Sequence, residues 1–234
     1  MNGGGQRSEF DPYARDYKSA LDQGLRLTGE SQDFFARRRV EIVRDCCRQL
    51  GLAVRSVCDY GCGTGDTLPL LRSFLAAERV IGLDPSEASL DEARGRHFAG
   101  VELALPSAFA TCSEICEAVY CNGVFHHIPV AERLSAATQI MRLLRPGGCW
   151  FFWENNPLNP GTRWVMSRIP FDHDAITLMP WTARRLGVAA GGRFVAQSSH
   201  FYFPKALTAL RRLEPWLTRL PLGGQYLTVL RKPN

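Results

Sequence analysis

Blocks of apolar and polar positions alternate along the middle of this chain and predict strands and helices in turn. Short runs rich in aliphatic and aromatic residues predict strands at 55–60, 79–83, 101–105, 117–122 and 149–153. The segments between them carry apolar residues at helical spacing and predict helices at 66–77, 86–98 and 131–144. Strands that alternate with helices in this way predict a parallel sheet covered by helices on both faces.

The flanks of this core predict further elements. Residues 32–50 form a strongly amphipathic helical pattern with Ser31 as a plausible N-cap. A long loop rich in Pro, Asn and Gly follows the fifth strand at 154–163, and loops of this length tend to be functional. Beyond it the pattern predicts two helices, 181–190 and 204–217, and two late strands at about 193–203 and 225–231.

Polar residues follow the predicted strands at points that a parallel sheet brings together. Right-handed crossovers place all the loops that follow the strands along one sheet edge, where open α/β sheets bind ligands. We therefore expect four side chains to converge at that edge: Asp59, Asp84, Asn122 and Glu154.

The strand at 55–60 runs into a glycine-rich turn that contains Gly61, Gly63 and Gly65. Glycines allow positive φ angles and let a ligand lie against bare backbone. The dinucleotide fingerprint would need its third glycine at position 66, which is Asp66 here. Asp84 ends the next strand, near the spacing at which a carboxylate binds ribose hydroxyls. An ordinary glycine-rich turn without a ligand remains the alternative interpretation.

The G-x-G-x-G pattern after Asp59 resembles motif I of class I S-adenosylmethionine (AdoMet)-dependent methyltransferases. The resemblance continues through 118–128, similar to the family's fourth strand and the loop after it, and through 143–153, similar to its fifth strand and the turn before it. It implies a doubly wound, Rossmann-like seven-stranded α/β sheet with an antiparallel C-terminal strand and an N-terminal helical lid.

The resemblance also implies AdoMet as cofactor and a set of residues around it. Asp59 and the glycines face the methionine end, Asp84 the ribose, and Leu83 and Pro85 the adenine. Aromatic side chains are expected beside the sulfonium, because a cation over a π face is stabilised by roughly 0.5–2 kcal/mol. The expected cofactor-binding residues are Tyr13, Tyr17, Asp59, Gly61, Gly63, Gly65, Leu83, Asp84, Pro85, Asn122 and Phe125.

Two adjacent histidines, His126 and His127, follow the fourth strand beside the expected methyl position. A histidine of near-neutral pKa suits removal of a proton from a hydroxyl or amine, although a structural role in the turn is an open alternative. Glu154 and Asn155 form a second candidate catalytic pair, which would either bind the acceptor or cap the loop. Because the methyl group is already activated, positioning alone can also supply much of the catalysis.

Length and composition indicate how many domains the chain has and which kinds of partner to expect. A chain of 234 residues fits one domain, which we divide into an N-terminal lid and helix (1–50), a cofactor-binding core (51–155), and a substrate-side loop with C-terminal strands (156–234). No 18-residue apolar run and no apolar N-terminal signal occur, so we expect a cytoplasmic protein without a membrane partner. The eight cysteines lack metal-ligand spacing, so we expect no metal site.

The charge is uneven: residues 151–234 carry 11 Lys or Arg against 4 Asp or Glu. A solvated basic surface explains this best, because no basic-aromatic array indicates nucleic-acid binding. We expect the N-terminal segment at 10–35 and the loop at 154–180 to form together a lid over a small-molecule acceptor. Aromatic residues would line this pocket or simply pack in the core: Trp153, Trp164, Phe171 and Trp181.

The favoured hypothesis is methyl transfer from AdoMet to a small molecule, at oxygen or nitrogen, in secondary or sugar metabolism. One alternative is an enzyme that uses the aminocarboxypropyl group of AdoMet, by transfer or cyclisation, and releases methylthioadenosine. Another is a non-enzymatic module that binds the nucleoside only. The acceptor and the oligomeric state stay open.

Overall fold

The computed structural model describes residues 28–169 and 175–234. Three residues of the sequence interpretation lie outside the described residues: Tyr13, Tyr17 and Phe171. Within the described part of the chain, every helix is too short or too polar to cross a bilayer.

Strands and helices alternate through the first part of the fold. The elements in chain order are α1 (Gln32–Gln49), β1 (Ser56–Tyr60), α2 (Leu68–Leu75), β2 (Arg79–Leu83), α3 (Glu87–Gly95), β3 (Val101–Ala104), β4 (Cys116–Asn122), α4 (Arg133–Leu143) and β5 (Leu144–Asn155). The second part contains α5 (Pro160–Met166), α6 (Pro180–Ala189), β6 (Arg193–His200), a 3-10 helix (Lys205–Leu213), α7 (Glu214–Leu217) and β7 (Gln225–Arg231).

The seven strands of the described residues form a single sheet in the order β3-β2-β1-β4-β5-β7-β6. Strands β1 to β5 are parallel. Strand β7 lies between β5 and β6 and is antiparallel to both. The predicted doubly wound sheet with an antiparallel C-terminal strand is confirmed.

Side chains of the central strands point alternately to the two faces of the sheet, and each face has its own core. In β5, Trp150 and Phe152 pack on one face, with α4 and α6. Phe151 and Trp153 pack on the other, with α1 and α2. Because both faces are covered, the strand is apolar at successive positions rather than at every second one.

Helix α1 follows its sequence pattern closely. The Ser31 hydroxyl accepts a hydrogen bond from the backbone N–H of Phe34 and caps the helix, as predicted. The buried residues recur at spacings of four and three and form one face: Ala36, Val40, Val43 and Cys47. Arg39 lies beside this buried face, and its side chain donates hydrogen bonds to Tyr120 and Gln225.

Two regions differ from the sequence prediction. The loop after β5 contains helix α5, because Asn159 caps its N-terminus and Pro160 occupies the first turn, where proline is well tolerated. The predicted helix at 204–217 is a 3-10 helix with a break at Leu207, followed by the single α-turn of α7.

A glycine substitution in α6 tests how closely this helix packs on the sheet, and a glycine substitution in α3 is its control. A Cβ at Gly187 would lie 2.3 Å from Leu230 Cδ1 of β7, whereas a Cβ at Gly95 would meet nothing within 4 Å. We expect Gly187→Ala to lower the free energy of unfolding by about 1–3 kcal/mol through overpacking. We expect Gly95→Ala to raise it by about 0.5–1 kcal/mol. Urea unfolding followed by circular dichroism measures both, and a Gly187→Ala protein as stable as the parent would contradict the close packing.

Candidate functional site

The glycine-rich turn after β1 is fixed by the end of β2. The carbonyl oxygen of Leu83 accepts hydrogen bonds from the backbone N–H groups of Gly61 at 2.7 Å and Cys62 at 3.0 Å. Gly61 has a φ of +83°, and a Cβ there would lie 2.2 Å from Val124 Cγ2. Only glycine therefore allows the turn to approach the loop after β4 this closely.

The carboxylate of Asp84 joins this turn to the next one. Its Oδ2 accepts a hydrogen bond from the Gly63 N–H at 2.8 Å, and its Oδ1 accepts one from the Ser86 N–H at 2.9 Å. Gly63 has a φ of +52°, and a Cβ there would meet no atom within 4 Å. The backbone at Gly63 is thus open to a ligand, while Asp84 stays buried beside it.

A cavity of about 480 Å³ opens between these turns and the start of α4. Asp84 and Pro85, two of the expected cofactor-binding residues, line it. So do Tyr60 and Gln139, whose side chains are joined by a 3.0 Å hydrogen bond from the tyrosine hydroxyl to Gln139 Oε1. Gln139 in turn donates from Nε2 to the carbonyl of Pro106 at 2.8 Å. The chamber combines two carboxylates, those of Asp84 and Glu132, with apolar walls that include Pro85, Val124 and Ile128.

A second cavity, of about 1180 Å³, lies on the other side of the glycine turn. The two cavities share residues of that turn and of the end of β4, so they adjoin there; the shared residues are Gly61, Gly63, Thr64, Asn122, Gly123 and His127. Asn122 Oδ1 is buried at this junction, and no hydrogen-bond partner for it occurs among the described residues. A bound group that donates a hydrogen bond would satisfy it.

A connected polar network forms one wall of the larger cavity. Arg39 donates from Nε to the hydroxyl of Tyr120 at 3.1 Å and from Nη1 to Gln225 Oε1 at 3.0 Å. Gln225 Nε2 donates to Asn155 Oδ1 at 3.0 Å. The acceptors of the half-buried Arg39 guanidinium in this network are therefore uncharged. Asp59 lines the same cavity.

Asp59 is almost fully buried, and its environment favours the neutral carboxyl group. Burial and, to a smaller extent, the charge of the neighbouring Asp84 raise its pKa from 3.8 to about 8, although the positive charge of Arg39 acts to lower it. A cationic ligand group placed beside Asp59 would favour the ionised form. With such a ligand bound, Arg39 and the ionised Asp59 would present a positive and a negative group to the same molecule.

His126 and Glu154 form a buried pair beneath the larger cavity. His126 Nδ1 lies 2.6 Å from Glu154 Oε2, and Glu154 Oε1 accepts a hydrogen bond from the Phe125 N–H at 2.8 Å. Glu154 is fully buried and lines neither cavity, whereas the His126 ring lines the larger one. A carboxylate at Nδ1 fixes the ring orientation and turns Nε2 to the opposite side.

The structure places most of the expected site residues at the two cavities. Those that line one or both are Asp59, Gly61, Gly63, Asp84, Pro85, Asn122, His126, His127 and Asn155. Trp164 lines the larger cavity, but Trp153 is buried in the core and Trp181 lies on the exposed side of α6.

Four expected site residues line neither cavity. Leu83 and Phe125 are fully buried core residues, and Phe125 packs against Trp150 and Phe152. Gly65 serves packing, because a Cβ there would lie 2.7 Å from Phe98. Glu154 contacts His126 and the Phe125 N–H rather than the cavity, which agrees more closely with the second alternative, a role in holding the loop.

Sequence reasoning missed Arg39, Gln225, Tyr60 and Gln139. Arg39 in α1 and Gln225 in β7 are 186 residues apart in the sequence, and no local motif links them. Tyr60 directly precedes Gly61, the first glycine of the motif, and this position alone could have indicated that Tyr60 belongs to the site.

The comparisons with known proteins agree with this geometry. A family model described as a methyltransferase domain matches residues 57–148. The trans-aconitate 2-methyltransferase of Azoarcus sp. is 27% identical over 196 residues, which cover 79% of this chain and 68% of that protein. The tRNA (carboxymethyluridine(34)-5-O)-methyltransferase ALKBH8 of Macaca fascicularis is 38% identical over 96 residues, 39% of this chain but only 13% of that protein.

Among solved structures, the methyltransferase in complex with the Trm112 methyltransferase activator of Haloferax volcanii superposes with a TM-score of 0.67. The match covers 98% of this chain and all of the other at 18% identity, so it concerns the fold. The family model matches the chain from β1 into β5, and the shared fold extends to β7; together these findings support a class I AdoMet-dependent methyltransferase.

Proposed function

We propose that this enzyme methylates an oxygen or nitrogen of a small molecule bound in the larger cavity, with His126 as the general base. The observation that carries the proposal is the His126–Glu154 pair, in which a buried carboxylate holds Nδ1 at 2.6 Å while the ring lines the cavity. With the proton of the neutral ring on Nδ1, Nε2 is the nitrogen that accepts a proton from the acceptor.

The two cavities suggest how AdoMet lies between them. The smaller one, with Asp84 and the apolar walls, suits the adenosine. Asp59 and Arg39 suit the ammonium and carboxylate of the amino-acid end, and Gly63 leaves room for close approach. When bound, AdoMet supplies an activated methyl group on a positively charged sulfur.

The chain's own residues then position the acceptor and take its proton. Gln225 and Asn155, which line the larger cavity beside Arg39, offer hydrogen bonds that orient a polar acceptor. As the acceptor loses its proton, His126 becomes positively charged, and the Glu154 carboxylate stabilises that charge as it does in other carboxylate–histidine pairs. Glu154 is therefore a positioning residue.

The relatives named trans-aconitate 2-methyltransferase favour a second candidate, an acceptor that is a carboxylate. Such an oxygen is already ionised at neutral pH and needs no base. The same proposal includes three further points. The enzyme acts in secondary or sugar metabolism, its acceptor is a small molecule rather than nucleic acid, and the chain is organised in three parts that meet at residues 50 and 155.

The reaction product separates methyl transfer from aminocarboxypropyl chemistry. Methyl transfer releases S-adenosylhomocysteine, whereas the alternative chemistry releases methylthioadenosine.

The first test concerns Asp59 and pH. Its folded-state pKa of about 8 lies above its ordinary 3.8, so the folded protein without ligand holds this proton more firmly than the unfolded chain. The stability from this group is fully present at low pH and is lost as pH rises through about 8. If the AdoMet ammonium binds the ionised carboxylate, AdoMet affinity rises with pH, by at most about tenfold per unit.

Calorimetric titration with AdoMet between roughly pH 6 and roughly pH 7.5, below the usual α-amino pKa, measures this slope. We expect Asp59→Asn to bind AdoMet more weakly and with little pH dependence. Asp66→Asn, which changes an exposed carboxylate bonded to Arg96 at the same cavity, is the matched control and should keep the slope. An unchanged slope in Asp59→Asn would show that another group causes it.

The second test concerns His126. We expect His126→Ala to slow turnover by about 10²–10⁴-fold with AdoMet affinity nearly unchanged. His127→Ala is the neighbouring control, and Glu154→Gln should slow turnover by a smaller factor and alter the pH–rate profile. Near-normal turnover of His126→Ala in a folded protein would reject the general base and favour the carboxylate acceptor.

A further inference from the structure

An exposed apolar surface lies on the segment formed by residues 205–222, here called the outer segment. Of the twelve large apolar side chains that are exposed among the described residues, six belong to it: Leu207, Leu210, Leu213, Trp216, Leu220 and Leu222. Trp216 is 77% exposed, more than any of the others. A concentration of apolar residues on so short a stretch of surface indicates an interaction site.

The helical geometry of the outer segment puts part of this set on one face. Leu210 and Leu213 are one turn apart in the 3-10 helix, where residues three apart eclipse each other. Trp216 follows three residues later in α7, on the same side of the turn. These three side chains form a ridge that faces away from the core.

The inner side of the outer segment is firmly attached, so the ridge does not result from loose packing. Glu214 Oε1 accepts hydrogen bonds from the backbone N–H groups of Tyr202 at 3.0 Å and Phe203 at 3.2 Å. Arg211 pairs with Glu30 at 2.8 Å, and its guanidinium lies over the Phe34 ring. The segment is thus anchored to the start of α1 while its leucines stay outside.

The charge of the outer segment is strongly positive. It contains Lys205, Arg211, Arg212 and Arg219 against the single acidic residue Glu214. Arg212 and Arg219 are exposed beside the apolar ridge. Leucine and tryptophan on one face with arginine at the borders is the composition of segments that lie in the interface of an anionic bilayer.

We propose that the outer segment binds the surface of a membrane that contains anionic lipids. The ridge enters the boundary between headgroups and acyl chains, and Arg212 and Arg219 contact the negatively charged headgroups. The expectation of no membrane partner, which rested on the absence of a spanning segment, does not address this kind of peripheral contact. The proposal is independent of the acceptor and of His126.

Vesicle co-sedimentation of the full chain tests the proposal. We expect binding to vesicles of phosphatidylcholine mixed with phosphatidylglycerol, weaker binding to phosphatidylcholine alone, and a loss of binding at high salt. Trp216→Ser should lower partitioning about tenfold. The double variant Arg212→Glu, Arg219→Glu should lower it by about fivefold or more for each arginine changed.

Trp181→Ser provides the matched control, because Trp181 is a 48% exposed tryptophan on α6, outside the outer segment. It should partition like the parent, and urea unfolding should show that all variants are folded. The proposal is overturned if the parent does not bind anionic vesicles, or if Trp181→Ser loses as much binding as Trp216→Ser.

Light scattering tests whether the ridge instead joins two copies of the chain. A concentration-dependent dimer that Trp216→Ser abolishes would assign the ridge to contact between two copies of the chain and overturn membrane binding. AdoMet affinity, measured on the same variants, should stay at the parent value. A failure of vesicle binding with intact AdoMet binding would reject the membrane proposal and leave the proposed function standing.

Discussion

The carboxylate of Asp84 joins the two turns on which both cavities depend. It binds the N–H groups of Gly63 and Ser86 and so connects the end of β1 to the end of β2. Asp84 also lines the smaller cavity, where a carboxylate is an acceptor for ligand hydroxyl groups. The same side chain therefore shapes the glycine turn and presents oxygen atoms to the smaller cavity, which explains why an acidic residue is needed there even before a ligand binds.

A second carboxylate organises the other half of the site. Glu154 reaches from the end of β5 to the loop after β4, where it holds both the Phe125 N–H and the His126 ring. A buried carboxylate is costly unless it is hydrogen-bonded, so these contacts stabilise the loop and the acid together. A buried side chain from the core strand β5 therefore sets the orientation of the His126 ring, although His126 itself lies in a loop.

The sequence was sufficient for the parts of the molecule that depend on local pattern. Strand–helix alternation predicted the parallel core, and the turn glycines with Asp84 predicted the smaller cavity, since each signal lies within one βα unit. Arg39 and Gln225 could not be found in this way, because their neighbourhood exists only after α1 and β7 pack on the sheet. The role of the Leu83 carbonyl, which accepts hydrogen bonds from the glycine turn, likewise depends on how β1 and β2 pair.

The position of β7 has a consequence for how the chain acquires its site. Strand β6 is synthesised before β7, yet it joins the sheet only through β7, which inserts between β5 and β6. Until β7 arrives, the edge of β5 and the whole of β6 lack their partners, and unpaired strand edges invite contact with other chains. Gln225, the first residue of β7, also completes the Arg39 wall. During synthesis, the nucleotide half of the sheet can therefore form early, whereas the wall that holds Arg39 waits for β7, which is made after the other six strands of the sheet.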